Sequence, residues 1–142
     1  MITIALINGP NLNTLGTRQP EIYGTQTLAQ VEEQLLKQFS KNVNFTFFQS
    51  NHEGELIDFI QNLKNIDGII INPGAFTHTS IALRDAVLAA DTPIIEVHIS
   101  NIFRRENFRA VSYFSDIAEG IICGMGTLGY TLATLRFLEE IS

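Results

Sequence analysis

The chain has no tryptophan, one cysteine, three histidines and three lysines, and each scarcity closes off some chemistry. The lone Cys123, inside the apolar run GIICG, cannot form an internal disulfide and is expected to behave as a small buried apolar residue. A reducing, cytoplasmic setting fits that usage. No apolar run approaches the roughly 18 residues of a membrane span. The opening MITIALING lacks a basic segment and runs straight into strand-like sequence, so no signal peptide and no membrane partner are expected. Basic excess is absent too. The net charge of −6 and a pI near 4.9 argue against nucleic acid as a partner. His52, His78 and His98 lie far apart, no cysteine pair exists, and the carboxylates do not cluster with histidine at ligand spacing, so no metal is expected. No serine sits in a GxSxG elbow.

What is present is a periodic, half-apolar chain of 142 residues, 45% hydrophobic with mean hydropathy +0.14, long enough for one real core. Apolar runs at 2–7, 43–48, 67–71, 93–99 and 119–123 read as strands. Helical spacing covers 28–40, with Thr25 or Thr27 as cap, then 54–64, 79–90 with a threonine cap, and 127–140. Strands alternating with helices predict a parallel sheet with right-handed crossovers. The expected fold is α/β, a flavodoxin-like three-layer sandwich with a five-stranded parallel sheet, in a single catalytic domain spanning 1–142.

Ligands of such sheets sit beyond the carboxyl ends of the strands. Strand one ends at Asn8-Gly9-Pro10-Asn11. Strand three ends at Asn72-Pro73-Gly74 and leads to Thr77-His78-Thr79-Ser80. Strand four ends at His98-Ile99-Ser100-Asn101. Glu96 and His98 are two apart and share a face of their strand. A carboxylate in a buried strand is costly unless paired. The pair reads either as a satisfied structural couple or as a carboxylate that orients a general acid. His78 reads as a loop brace or a ligand contact, and His52 as a turn residue, a helix start or a functional group. The GMGTLG run at Gly124–Gly129 mimics a dinucleotide fingerprint, but it follows the last strand, so tight strand–helix packing is the better reading.

The polar loop NGPNLNTLGTRQPEIYG, Asn8–Gly24, breaks this amphipathic pattern. Arg18 and Tyr23 stand five apart between Gly16 and Gly24. A guanidinium beside a phenol favours the ionised form and so can make tyrosine a base. One arginine is barely enough for that task, so a second is expected. Four of the six arginines (Arg18, Arg104, Arg105, Arg109) fall in predicted loops, as in a site built for a small anion. Lys37, Lys41 and Lys64 fall near the ends of predicted helices, away from the strand ends, so imine chemistry is not expected.

With FFQSNHEGELID at 47–58, INPGAFTHTSIALRDA at 71–86, IEVHISNIFRRENFR at 95–109 and GIICGMGTLGYTLA at 120–133, this loop makes nearly the whole chain resemble the type II 3-dehydroquinate dehydratases. Thr14 and Gln19 depart from the family's NLLG and REP, which touches the lid loop, about 12–24, rather than the chemistry. The resemblance implies elimination of water from 3-dehydroquinate through an enolate in the shikimate pathway, with no cofactor. It implies that Tyr23 takes the C2 proton, Arg18 assists it, His98 protonates the departing hydroxyl, and Asn11 holds a water against the enolate. Asn72 and the amides of Ile99 and Ser100 would meet the substrate carboxylate. His78, Arg109 and Asp85 would meet ring hydroxyls, with Asp85 reaching from a neighbouring subunit. Arg105 would be the second cation near the tyrosine, and Glu96 the partner of His98. The family also implies a homododecamer, a tetramer of trimers. The rival reading is a non-catalytic module that binds quinate-like acids.

Overall fold

The computed structural model describes residues 1–141. Five strands, β1 (Ile2–Asn8), β2 (Val43–Gln49), β3 (Gly68–Asn72), β4 (Ile94–His98) and β5 (Gly120–Cys123), form one all-parallel sheet in the order β2-β1-β3-β4-β5. This is the flavodoxin-like order, with its switch point between β1 and β3. The central strands are continuous apolar runs because both their faces are covered.

Alternation along each strand divides the core in two. Ile4, Leu6, Ile70, Ile95 and Val97 pack against Val31, Leu35 and Phe39 of α2 (Leu28–Phe39) and Tyr130, Ala133 and Phe137 of α5 (Leu128–Ile141). Ala5, Ile7, Ile69, Ile71 and Ile94 pack on the other face, against Leu56 and Ile60 of α3 (Glu53–Gln61) and Leu83, Ala86 and Val87 of α4 (Ile81–Ala90). Two helix layers therefore sandwich one sheet, and each fully buried aliphatic side chain stabilises it by about 1.5–3 kcal/mol.

The helix ends explain the boundary differences. Thr27 caps α2 in a reciprocal capping box with Gln30. The cap of α4 is Ser80, one residue beyond the expected threonine, with its Oγ accepting from Leu83 N at 2.9 Å. α3 stops at Gln61, short of the expected 64, because the Asn62 side chain donates to the Asp58 carbonyl at 2.8 Å. Cys123 is half-buried rather than buried, since β5 is an edge strand; its Sγ donates to the Ser100 carbonyl at 3.5 Å. His52 is exposed at the N-cap of α3. The packing reading of GMGTLG holds at its last glycine: a Cβ on Gly129 would lie 3.0 Å from Val97 Cγ1 and 3.4 Å from Ile122 Cγ2.

Candidate active site

The carboxyl ends of β1, β3 and β4 open into a pocket of about 80 Å³. At β1 the chain must leave the sheet closely against the β3 exit. A Cβ on Gly9 would sit 2.2 Å from the Pro73 carbonyl oxygen, so only glycine fits. Asn11 follows in the left-handed region at φ 70°, which asparagine tolerates better than most residues. Its amide donates to Asn51 Oδ1 at 2.9 Å, and Gln49 Nε2 donates to the Gly9 carbonyl at 3.1 Å. Two side chains, one from the last residue of β2 and one just beyond it, thus fix the loop that presents Asn11 to the pocket.

The loop then winds through a 3-10 turn (Leu12–Thr14) and one helical turn, α1 (Pro20–Tyr23), too short for sequence periodicity to reveal. Arg18 and Tyr23 both line the pocket. Their guanidinium-to-ring distance is 5.4 Å, within cation–π range. Arg105 lies at the same 5.4 Å from the ring, and its Nη1 also donates to the Tyr23 hydroxyl at 2.6 Å and to Ser100 Oγ at 3.2 Å. The expected second arginine is therefore the one that touches the phenolic oxygen. Arg109 lines the pocket as well and is held by Glu106, at 3.1 Å from its Nε. Arg18 has no carboxylate within 4.0 Å among the described residues. Three guanidiniums converge here in a protein of net charge −6, which suits a small anion.

His98 lines the pocket at the end of β4, and its Nε2 is hydrogen-bonded to Glu96 Oε2, leaving Nδ1 for a ligand. Glu96 is fully buried and lies behind His98 rather than in the pocket wall. Burial alone would raise its carboxyl above the ordinary range. The hydrogen bond and charge of His98, with hydroxyls from Ser115 (2.6 Å) and Ser112 (2.8 Å), outweigh that and hold it low. His78 donates through Nδ1 to the Val111 carbonyl at 2.7 Å. Burial, ahead of the opposing carbonyl and the nearby cations, sets its imidazole below the ordinary value.

Asn72 faces the pocket, with one amide hydrogen given to Tyr130 Oη (3.0 Å) and its Oδ1 accepting from Gly74 N (3.2 Å). The second amide hydrogen remains for a ligand. Tyr130 donates in turn to Asn8 Oδ1 at 2.5 Å, and burial pushes its phenol well above the usual value, so it stays neutral. Ile99 and Ser100 complete the β4 side. Of the expected site residues, ten line this pocket, Glu96 backs it, and Asp85 does not reach it. Asp85 is exposed on α4, outside this chain's pocket.

Ser112, Ser115, Gln49 and Asn51 were missed at the sequence level. The polar run QSNHEGE after β2, and a Ser-x-x-Ser repeat beyond the Arg-rich loop, were the signals available. Among the described residues no group of three or more His, Cys, Asp or Glu side chains could hold a metal ion.

Comparison with known proteins gives a concordant result. The family model described as Dehydroquinase class II matches residues 2–138. The chain is 57% identical over 144 aligned residues to a 3-dehydroquinate dehydratase of Prochlorococcus marinus (strain MIT 9301), covering 100% of this chain and 98% of that protein. It is 59% identical over 133 residues to a catabolic 3-dehydroquinase of Phaeosphaeria nodorum, covering 92% and 88%. The crystal structure of a type II dehydroquinase from Butyrivibrio crossotus DSM 2876 superposes with a TM-score of 0.92 at 44% identity, covering 96% of this chain and 97% of that one.

Proposed function

The chain belongs to the class II dehydroquinase family, and on that premise we propose that its pocket removes water from 3-dehydroquinate with Tyr23 as base and His98 as acid. The activity is that of a hydro-lyase, a 3-dehydroquinate dehydratase giving 3-dehydroshikimate. Tyr23 as phenolate takes a proton from C2, beside the ketone. The electron pair moves into an enolate on the carbonyl oxygen, which a water held by Asn11 stabilises. Collapse of the enolate forms the C1–C2 double bond and expels the C1 hydroxyl, which leaves as water with a proton from His98 Nδ1. Asn72 and the amides of Ile99 and Ser100 hold the carboxylate, and His78 and Arg109 the ring hydroxyls.

One observation carries this reading: a tyrosine flanked by two guanidiniums and a carboxylate-backed histidine face the same small pocket. Preorganised positive charge beside an oxygen is worth most where negative charge develops during reaction. The loop 12–24 serves as a lid, since it carries both Arg18 and Tyr23.

The chain works as a single catalytic domain in the cytoplasm, in the shikimate pathway that leads to aromatic amino acids. It assembles as a homododecamer, a tetramer of trimers, in which Asp85 serves a neighbour's pocket. In support, Asp85 lies on α4 between the exposed apolar side chains of Ile81 and Leu88, at helical spacing, a surface suited to burial against another copy.

The test mixes purified protein with 3-dehydroquinate, without added metal or cofactor, and follows near-ultraviolet absorbance of the conjugated product. Growth in the wild type and its loss in Tyr23→Phe are expected. Wild-type turnover in the variant would refute the base assignment. Binding without turnover in the unmutated protein would return the chain to the class of non-catalytic small-acid binders.

A further inference from the structure

We infer that the segment Val111–Ser115 fixes the proton positions of both pocket histidines, with Ser112 and Ser115 as positioning residues. The inference rests on the acid role given to His98 above.

Two adjacent residues act on the two imidazoles, one directly and the other through Glu96. The Val111 carbonyl can only accept, so the 2.7 Å contact places the hydrogen of His78 on Nδ1. Neutral His78 then offers Nε2 to the pocket as an acceptor, fit for a substrate hydroxyl. The next residue, Ser112, donates from Oγ to Glu96 Oε2 at 2.8 Å. Its oxygen accepts from the amides of Phe114 (3.0 Å) and Ser115 (3.2 Å), so its hydrogen has one direction left, toward the carboxylate. Ser115 donates to the other oxygen, Oε1, at 2.6 Å. Glu96 therefore accepts two hydroxyl hydrogens and that of His98 Nε2. A carboxylate with three donors stays ionised even when buried. Ionised, it keeps hydrogen on His98 Nε2 and stabilises the imidazolium whose Nδ1 hydrogen faces the pocket.

Among the described residues, His98, Ser112 and Ser115 are the side chains that hydrogen-bond the Glu96 carboxylate. Glu96 is 0% exposed, and its neighbours in the sheet are Ile71 on β3 and Ile121 on β5. The titratable groups acting on it are His98 and, at longer range, His78, which also feels Arg109. The segment is itself pinned. Tyr113 N donates to the Thr77 carbonyl at 2.9 Å, and Arg84 of α4 donates to the Tyr113 carbonyl at 2.8 Å while pairing with Asp116. Neither serine lines the pocket, so any effect they have on turnover passes through Glu96.

The experiment compares Ser115→Ala, Ser112→Ala/Ser115→Ala and Ser112→Thr/Ser115→Thr with wild type, measuring kcat and KM for 3-dehydroquinate from pH 5 to 9. Nitrogen-15 spectra of the histidine rings accompany the kinetics, and His98→Gln is the control for the acid role. In the wild type, His78 is expected to carry its hydrogen on Nδ1 and His98 on Nε2. The double alanine variant loses two of three donors to Glu96. Its kcat is expected to fall by about tenfold or more, with KM changed less than about threefold, and hydrogen is expected to move from His98 Nε2 toward Glu96 in the nitrogen-15 spectra. Ser115→Ala lowers kcat less, and the threonine variant, which keeps both hydroxyls, restores it.

A kcat and a His98 Nε2 hydrogen both unchanged in the two alanine variants, with His98→Gln inactive, overturn the positioning role alone. A His78 hydrogen on Nε2 overturns it from the wild-type spectrum, whether or not the variants fold. Turnover surviving in His98→Gln overturns the acid assignment and this inference with it.

Discussion

Replacing Arg105 by methionine should slow turnover more than the same change at Arg18. Arg105 Nη1 donates to the Tyr23 hydroxyl at 2.6 Å, and a hydrogen bond from a charged donor is worth about 1.5–3 kcal/mol. If that bond is made fully only as charge develops on the oxygen, its loss lowers kcat by about 10- to 150-fold. A point-charge argument checks the scale. At 5.4 Å an effective dielectric of about 20 gives about 3 kcal/mol, and bulk water about 0.8 kcal/mol. Arg105 is only 14% exposed at its side chain and belongs near the upper figure. Arg18 stands at the same 5.4 Å but is exposed, so solvent and salt screen it toward the lower one. Rates at saturating 3-dehydroquinate separate kcat from KM. Arg105→Lys should fall between wild type and Arg105→Met, because it keeps the charge and loses the planar fork. Turnover in Arg105→Met within threefold of wild type, or a loss in Arg18→Met ten times greater, would refute the reasoning.

Three further outcomes follow from the same contacts. Tyr130→Phe leaves Asn8 Oδ1 unpaired beside Asn8 Nδ2, which already lacks a partner, at a cost of about 1–3 kcal/mol and several degrees in melting temperature; an unchanged melting curve would sink that account. The Glu96 carboxyl is held below its ordinary 4.5, so its stabilisation is present above that pH and is lost as pH falls through its folded value. Urea midpoints of wild type and Glu96→Gln should therefore converge below pH 4.5, and a constant gap down to pH 3 would contradict the sign. No lysine lines the pocket, so borohydride added with substrate should leave activity intact; covalent inactivation would show that an imine forms.

The fold was legible where burial on both faces left no alternative. ITIALI, GIII and the β4 run with its single carboxylate can only be central strands of a covered parallel sheet. The cap of α2 was narrowed to Thr25 or Thr27, and the reciprocal bonds with Gln30 decide for Thr27. The boundaries that moved depended on one side-chain hydrogen bond each. Ser80 and Thr79 are equally good caps on paper, and only Ser80 points its oxygen at Leu83 N. Leu63 extends the periodic face of α3, so nothing in the pattern announces that Asn62 ends it.

At the site, residue types and the local Glu96–His98 pair were legible, whereas contacts between distant loops were not, and Arg105 beside Tyr23 came only through the resemblance. Arg18 is near Tyr23 in sequence, so proximity singles it out, whereas the arginine that touches the hydroxyl comes from 82 residues away. That contact depends on how two irregular loops fold over β4, and irregular loops have no period to read. The same applies to the supports. Asn51 reaches Asn11 across 40 residues, and it can do so because β1 and β2 pair in parallel, so that Asn8 stands opposite Gln49 and both strands release their loops at one edge. Ser112 and Ser115 reach Glu96 across 16 and 19 residues because the chain turns back from the arginine loop before entering β5. A parallel sheet brings chemically competent side chains together at its carboxyl edge by topology alone. Which of them touch is then decided by loop dihedrals such as φ 70° at Asn11 and φ 44° at Gln19, conformations no residue type dictates. That is why the resemblance could assign roles to residues in the pocket wall while the residues holding that wall in place came only from the structure.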